Sequence, residues 1–176
     1  ESWEAPRSYD WGDGGKLYAL VHQHSKSKRE GFILGMYRHG TWSFQIGVGN
    51  RWIEVWSEEK VLEKNKWSHV AATFDKNTAT ARIYLNGELV AEEQTPANMP
   101  INPSNAKLMI GKNNEAVKLN GVFDFNMFNG LIDELKIYNR VLTEDEIRKN
   151  FNQDLAAYNG SIPEIDYENI ALDPKV

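Results

Sequence analysis

The stretch KWSHVAATFDKNTATARIYLNGELVAE, residues 66–92, decides the fold. Two runs rich in β-formers flank a short polar link at residues 76–80, and a second turn follows at Asn86-Gly87. Both residues of that turn take positive φ at little cost, which suits a tight hairpin. Within residues 81–85, Ala81, Ile83 and Leu85 point one way and Arg82 and Tyr84 the other. Strands of this kind need a sheet with one buried face, and the rest of the chain is placed relative to that sheet.

The same period of two recurs outward from this stretch. Residues 41–48 set Trp42, Phe44, Ile46 and Val48 on one side and Ser43 and Gln45 on the other. After a Gly49-Asn50 turn, residues 51–57 set Ile53 and Val55 one way and Trp52, Glu54 and Trp56 the other. Residues 1–5, 17–23, 31–37, 108–111 and 130–139 read as further strands, and residues 58–65 as a solvated acidic connection. Pro96, Pro100 and Pro103 mark an irregular loop. Residues 143–151 form the one convincing helix: Thr143 caps it, Glu146 stands at the capping-box spacing, and Arg148 and Lys149 fill its last turn. About ten short strands separated by turn signals predict an all-β sandwich with a single short helix near the C-terminus.

Composition narrows the function classes. The 176 residues suit one domain with an ordinary core. A net charge of −5 argues against nucleic acid or an anionic membrane as partner, since both reward a basic patch. No apolar run approaches the roughly 20 residues that span a bilayer. The absence of Cys excludes disulfides, thiolate catalysis and Cys-based zinc sites. Six Trp, seven Tyr and seven Phe are more rings than a core of this size requires, which implies a surface that uses them.

Two segments carry a family likeness. WSHVAATFD (residues 67–75) with IYLNGELVA (83–91), and FNGLIDELKIYNRVLTEDEI (128–147), resemble the signature strands of laminin-G-like, concanavalin A-like jelly rolls. The resemblance covers residues 1–151 and implies a two-sheet antiparallel jelly-roll sandwich. Members of this fold usually carry one or two earlier strands that pair with the closing strand. The expectation is therefore a domain at 1–151 lacking its N-terminal strand, then a linker at 152–176 toward a following domain. A narrower likeness rests on EAPRSYDWGDGG (4–15) and IALDPKV (170–176). These resemble the fructan-binding modules that precede the catalytic domain in bacterial β-fructosidases of the levanase and inulinase type. That likeness implies a secreted, extracellular bacterial module, covalently linked to a glycoside hydrolase and bound to polysaccharide or oligosaccharide.

Several residues are candidates for sugar contact. Trp52, Glu54 and Trp56 share one face of a strand; rings stack on the apolar faces of sugars and a carboxylate accepts hydrogen bonds from hydroxyls. The alternative is that Trp52 and Trp56 fill the core with Glu54 at its margin. Arg38, at a turn, offers a forked donor, or is a solvated arginine. Gln23 lies beside His22 at a strand end on the rim. Asn113, Asn114 and Asp124 belong to a region that in this fold passes over the ligand face; ordinary turn chemistry is the competing reading. Trp11 lies in a Gly-rich loop where it could clamp a terminal sugar, and Asp10 and Asp13 in the same loop are candidate ligands for a structural calcium. No cofactor is otherwise required.

Catalytic readings are weaker. Asp133 and Glu134 are adjacent on a strand, so they face opposite ways and cannot flank one glycosidic bond. His69 has no Ser or Asp at triad spacing and reads as a buried histidine. The leading reading is a non-catalytic carbohydrate-binding module that targets an attached glycoside hydrolase, with fructan (levan or inulin) as the polysaccharide. A concanavalin-type glycoside hydrolase and a protein-binding adhesive domain are the alternatives.

Overall fold

The computed structural model of the chain describes residues 1–9, 17–95, 99–112, 118–119, 122–123 and 128–162. The strands are β1 (Ser2–Pro6), β2 (Tyr18–Ser25), β3 (Glu30–Met36), β4 (Thr41–Val48), β5 (Arg51–Val61), β6 (Ser68–Asp75), β7 (Thr80–Leu85), β8 (Glu88–Gln94), β9 (Met109–Ile110), β10 (Lys118–Leu119), β11 (Val122–Phe123) and β12 (Gly130–Asp133). A single 3-10 turn at Arg38–Gly40 joins β3 to β4, and α1 (Glu144–Tyr158) closes the described chain. Two five-stranded antiparallel sheets face each other, in the orders β12-β1-β6-β7-β8 and β5-β4-β3-β2-β9. The all-β jelly-roll sandwich with one short helix is therefore what the chain forms.

Residues 66–92 run from the central strand β6 of the first sheet through β7 to its edge strand β8. Asn86 and Gly87 take φ of 52° and 80°, as their side chains permit. The Asn86 Oδ1 accepts from the His69 amide at 2.9 Å, which fixes the turn against β6. Alternation decides the rest. Val70, Ala81 and Ile83 point inward to meet Leu20, Leu34, Met36, Trp42, Phe44, Ile46 and Val55 of the second sheet. Such a core is the main term holding the sheets together, at about 25 cal/mol per Å² of apolar surface removed from water.

Each sheet also has an outer face, and the two are treated differently. On the first sheet, α1 covers it. Ile147 packs on Ala71 and Tyr84, and Trp3 stacks on Tyr158 at 4.5 Å and on Phe151 at 5.6 Å. The capping box at Thr143 and Glu146 is formed as the sequence predicts. The helix runs on to Tyr158 rather than ending at Phe151, because its C-terminal turns bury apolar surface on Trp3 and Trp67. The expected boundary at residue 151 thus falls inside an element that belongs to the sandwich.

β1 lies inside its sheet, paired with the edge strand β12 and with β6. One further expectation differs from what is seen. β5 continues to Val61 through the acidic segment expected to be a connection. It does so across an irregularity in its pairing with β4, where Glu58 takes a φ of 30°.

Candidate functional site

The outer face of the second sheet carries the polar and aromatic residues that the core excludes. The turn at Gly49-Asn50 pairs Val48 with Arg51, and this sets the register Ile46↔Ile53 and Phe44↔Val55 on the inner face. Trp52, Glu54 and Trp56 must then lie on the outer face, opposite Gly47, Gln45 and Ser43. The reading in which Trp52 and Trp56 fill the core is thereby corrected. Trp56 is 47% exposed, so its ring is open to solvent.

A cross-strand row runs over this face as Glu54, Gln45, Ile33, His22 and Met109. Around Glu54 the hydrogen bonds form a closed network. Tyr37 OH donates to Glu54 Oε1 at 2.5 Å, and Gln45 Nε2 donates to the same oxygen at 2.9 Å. Trp52 Nε1 in turn donates to Gln45 Oε1 at 2.6 Å. Gln45 is buried, so its amide orientation is fixed by these partners: oxygen to the indole, nitrogen to the carboxylate. Burial and the neighbouring Glu54 carboxylate push the Tyr37 hydroxyl far above its ordinary range, so it stays a donor at any working pH. The result is a carboxylate and an indole edge that are held in place.

Next to this network lies a buried histidine pair. His24 Nδ1 and His22 Nδ1 are 2.9 Å apart, so one is protonated and the other accepts. His22 Nε2 reaches the Lys112 carbonyl at 2.8 Å, and the His24 ring lies 6.0 Å from Trp52. Leu17, Ala19 and Ile33 provide the apolar bed on which Trp52 and Tyr37 rest.

The remaining sequence candidates fare differently. Gln23 is not on this face: the register of β2 shifts between Ala19 and Val21, and the extra residue turns Gln23 inward opposite Phe32. Its amide donates to the Ala106 carbonyl at 2.9 Å. Arg38 lies in the 3-10 turn, and its side chain is outside the described residues. Trp11, Asn113, Asn114 and Asp124 also lie outside them, as do the calcium candidates Asp10 and Asp13. Among the described residues no cluster of three or more His, Cys, Asp or Glu is arranged to hold a metal.

Sequence reasoning missed Tyr37 and Gln45 as members of the site. Gln45 was visible as the polar side of β4's alternation, but Tyr37 reaches Glu54 only through sheet pairing.

Asp133 ends β12, and Glu134, expected beside it on the strand, lies beyond the strand with a φ of 48°. One Asp133 oxygen accepts from the Glu134 amide and the other from Tyr158 OH at 2.7 Å. His69 is buried against Trp3. Burial, then the nearby N-terminal amine and Lys136, lower its pKa to about 4. It is neutral at pH 7, so its 3.7 Å approach to Glu1 is no salt bridge. A cleft of about 620 Å³ opens elsewhere, between the sheets, with walls from Phe32, Phe44, Ile46, Phe74 and Leu135. Polar side chains, among them Thr73, Asp75, Asn77, Asn139 and Arg140, also line it, and it shares no residue with the outer face of the second sheet.

Comparison with known proteins agrees with this architecture. The model of the concanavalin A-like lectin/glucanases superfamily matches residues 2–148. In sequence the chain is similar to the pentraxin-related protein PTX3 of Mus musculus, 33% identical over 91 residues, or 51% of this chain and 24% of that protein. The match thus spans about a quarter of that relative's length. In structure it is similar to the CBM40 domain of the Ruminococcus gnavus IT-sialidase bound to α2,3 sialyllactose. That pair has a TM-score of 0.59 at 16% identity, covering 85% of this chain and 79% of the other. It is also similar to domain 4 of AbnA, an extracellular arabinanase of Geobacillus stearothermophilus, in complex with arabinotriose. There the TM-score is 0.57 at 20% identity, covering 84% and 63%.

Proposed function

The chain belongs to the concanavalin A-like lectin/glucanases superfamily, and on that premise we propose that it is a non-catalytic carbohydrate-binding module. The observation that carries this reading is the outer-face triplet Trp52, Glu54 and Trp56. Rings and a carboxylate that a sandwich would otherwise bury or omit are displayed together, with Trp56 47% exposed. A sugar presents an apolar face to stack on a ring and hydroxyl hydrogens for a carboxylate to accept. Support also comes from the carbohydrate-binding modules among the structural neighbours, one holding sialyllactose and one arabinotriose.

The polysaccharide is fructan on this reading, and the module is secreted and linked to a fructan-degrading hydrolase. That part rests on the likeness of residues 4–15 and 170–176 to modules of bacterial β-fructosidases. Its role would be to raise the local concentration of enzyme on polymer.

Affinity electrophoresis against levan, inulin, arabinan and xylan, with a reducing-sugar assay alongside, tests the proposal. Retardation by levan or inulin, lost in Trp56→Ala while the thermal midpoint stays unchanged, is the expected result. Release of reducing sugar by the isolated chain would overturn the non-catalytic reading. Retardation by arabinan or xylan alone would overturn the fructan assignment.

A further inference from the structure

Trp52 and Trp56 stand four residues apart on one face of β5. At about 3.3 Å per residue their Cα atoms are separated by roughly 13 Å, further than one sugar ring reaches. Glu54 lies midway between them. Its Oε1 already receives Tyr37 OH and Gln45 Nε2, and among the described residues no donor reaches Oε2. The carboxylate thus has a fixed orientation and an acceptor to spare for hydroxyls. Trp52 is pinned through its Nε1 to the buried Gln45 and rests on Leu17, Ala19 and Ile33, so one ring is rigid before any ligand arrives.

β5 is also the edge of its sheet. The row of outer-face residues along it is Trp52, Glu54 and Trp56. No further strand of the sheet flanks the row on the far side of β5. The charge on the row is that of Glu54, whose carboxylate repels a carboxylated sugar.

Resting on the glycan-binding reading, we infer that β5 takes a stretch of an uncharged glycan chain of roughly three or more units. One unit stacks on Trp52, one on Trp56, and one between them donates hydroxyls to Glu54. The rigid Trp52–Gln45–Glu54–Tyr37 network gives the register, and the exposed Trp56 extends the contact along the chain. Sialylated or uronic-acid sugars are rejected by the Glu54 carboxylate.

The test is calorimetric titration of the chain with inulin-type, arabino- and xylo-oligosaccharides of one to six units, and with sialyllactose. Affinity in the series that binds is expected to rise at least about tenfold from one to about four units and then level, as one added ring contact together with the hydroxyl contacts to Glu54 requires. Trp56→Ala removes most of that rise. Trp52→Phe, which keeps a ring but loses the bond to Gln45, weakens the longer sugars about as much, and its thermal unfolding checks that it is folded. Sialyllactose binds at least about tenfold more weakly than a neutral trisaccharide, the size of effect one like-charge contact produces.

A monosaccharide bound as tightly as the hexamer, or sialyllactose bound best, overturns this inference and leaves the glycan-binding reading standing. No heat from any sugar overturns the reading itself.

Discussion

Glu4 lies in the middle of β1, pairs with Ser68 and Ile132, and points between the sheets with no exposure. Its Oε1 accepts from Ser2 Oγ at 2.6 Å, and Oε2 has no hydrogen-bond partner among the described residues. Burial is the dominant influence on this carboxyl and raises its pKa from 4.5 to about 8; the Ser2 hydrogen bond and the N-terminal amine pull back only in part. The folded protein therefore holds a proton that the unfolded chain releases near pH 4.5. Stability supplied by this group is full below pH 4.5 and is lost as pH rises toward and through 8. At about 1.4 kcal/mol per pH unit, the ceiling of the effect is about 5 kcal/mol, a large share of the 5–15 kcal/mol typical of a domain.

Glu4→Gln keeps the shape and the acceptor for Ser2 and cannot ionise. Urea unfolding of both proteins at half-unit steps from pH 5 to pH 9 is the assay. The difference between the two curves isolates this group, because every other titrating side chain is common to both. Wild type and variant are expected to lie within about 1 kcal/mol of each other at pH 5, as for one neutral hydrogen bond exchanged for another. At pH 9 the variant should be more stable by several kcal/mol. A constant difference across the range would refute the reasoning, since it would mean that Glu4 ionises in the folded state as easily as in the unfolded one.

Three further outcomes follow from the same physics. His69 is held neutral by burial, with a pKa of about 4 against 6.5, so its contribution to stability is full above pH 6.5 and lost as pH falls toward and through 4. His69→Gln should flatten that acid limb in thermal melts. Thr143→Ala removes the acceptor for the Glu146 amide and should cost about 1 kcal/mol in urea unfolding, with the outer face of the second sheet unaffected. Trp3→Ala empties the slot between the first sheet and α1 and should cost about 3–5 kcal/mol, with a fall in helical circular dichroism as Phe151 and Tyr158 lose their partner.

How much of the site was legible in the sequence turns on β4 and β5. Taken alone, β5 is ambiguous, because both of its sides carry apolar residues: Ile53 and Val55 against Trp52 and Trp56. β4 is not ambiguous, since Trp42, Phe44, Ile46 and Val48 oppose Ser43 and Gln45. A two-residue turn at Gly49-Asn50 transfers the assignment from one strand to the other, because it permits only the register Val48↔Arg51 and so sets Ile53 and Val55 inward. Turn length and one clear pattern therefore suffice to place Trp52, Glu54 and Trp56 outside.

The same logic fails on β2 for an equally local reason. The register slip between Ala19 and Val21 sends His22 and His24 outward and Gln23 inward, and nothing in YALVHQHS marks the bulge, since Leu20 and Val21 are both at home in a core. Tyr37 was hidden for a different reason. Its hydroxyl meets Glu54, 17 residues away, only because β3, β4 and β5 lie side by side. Periodicity along a strand says which face a residue occupies. It is silent on which neighbour across the sheet fixes the orientation of a carboxylate, and on this face that neighbour determines what Glu54 can accept.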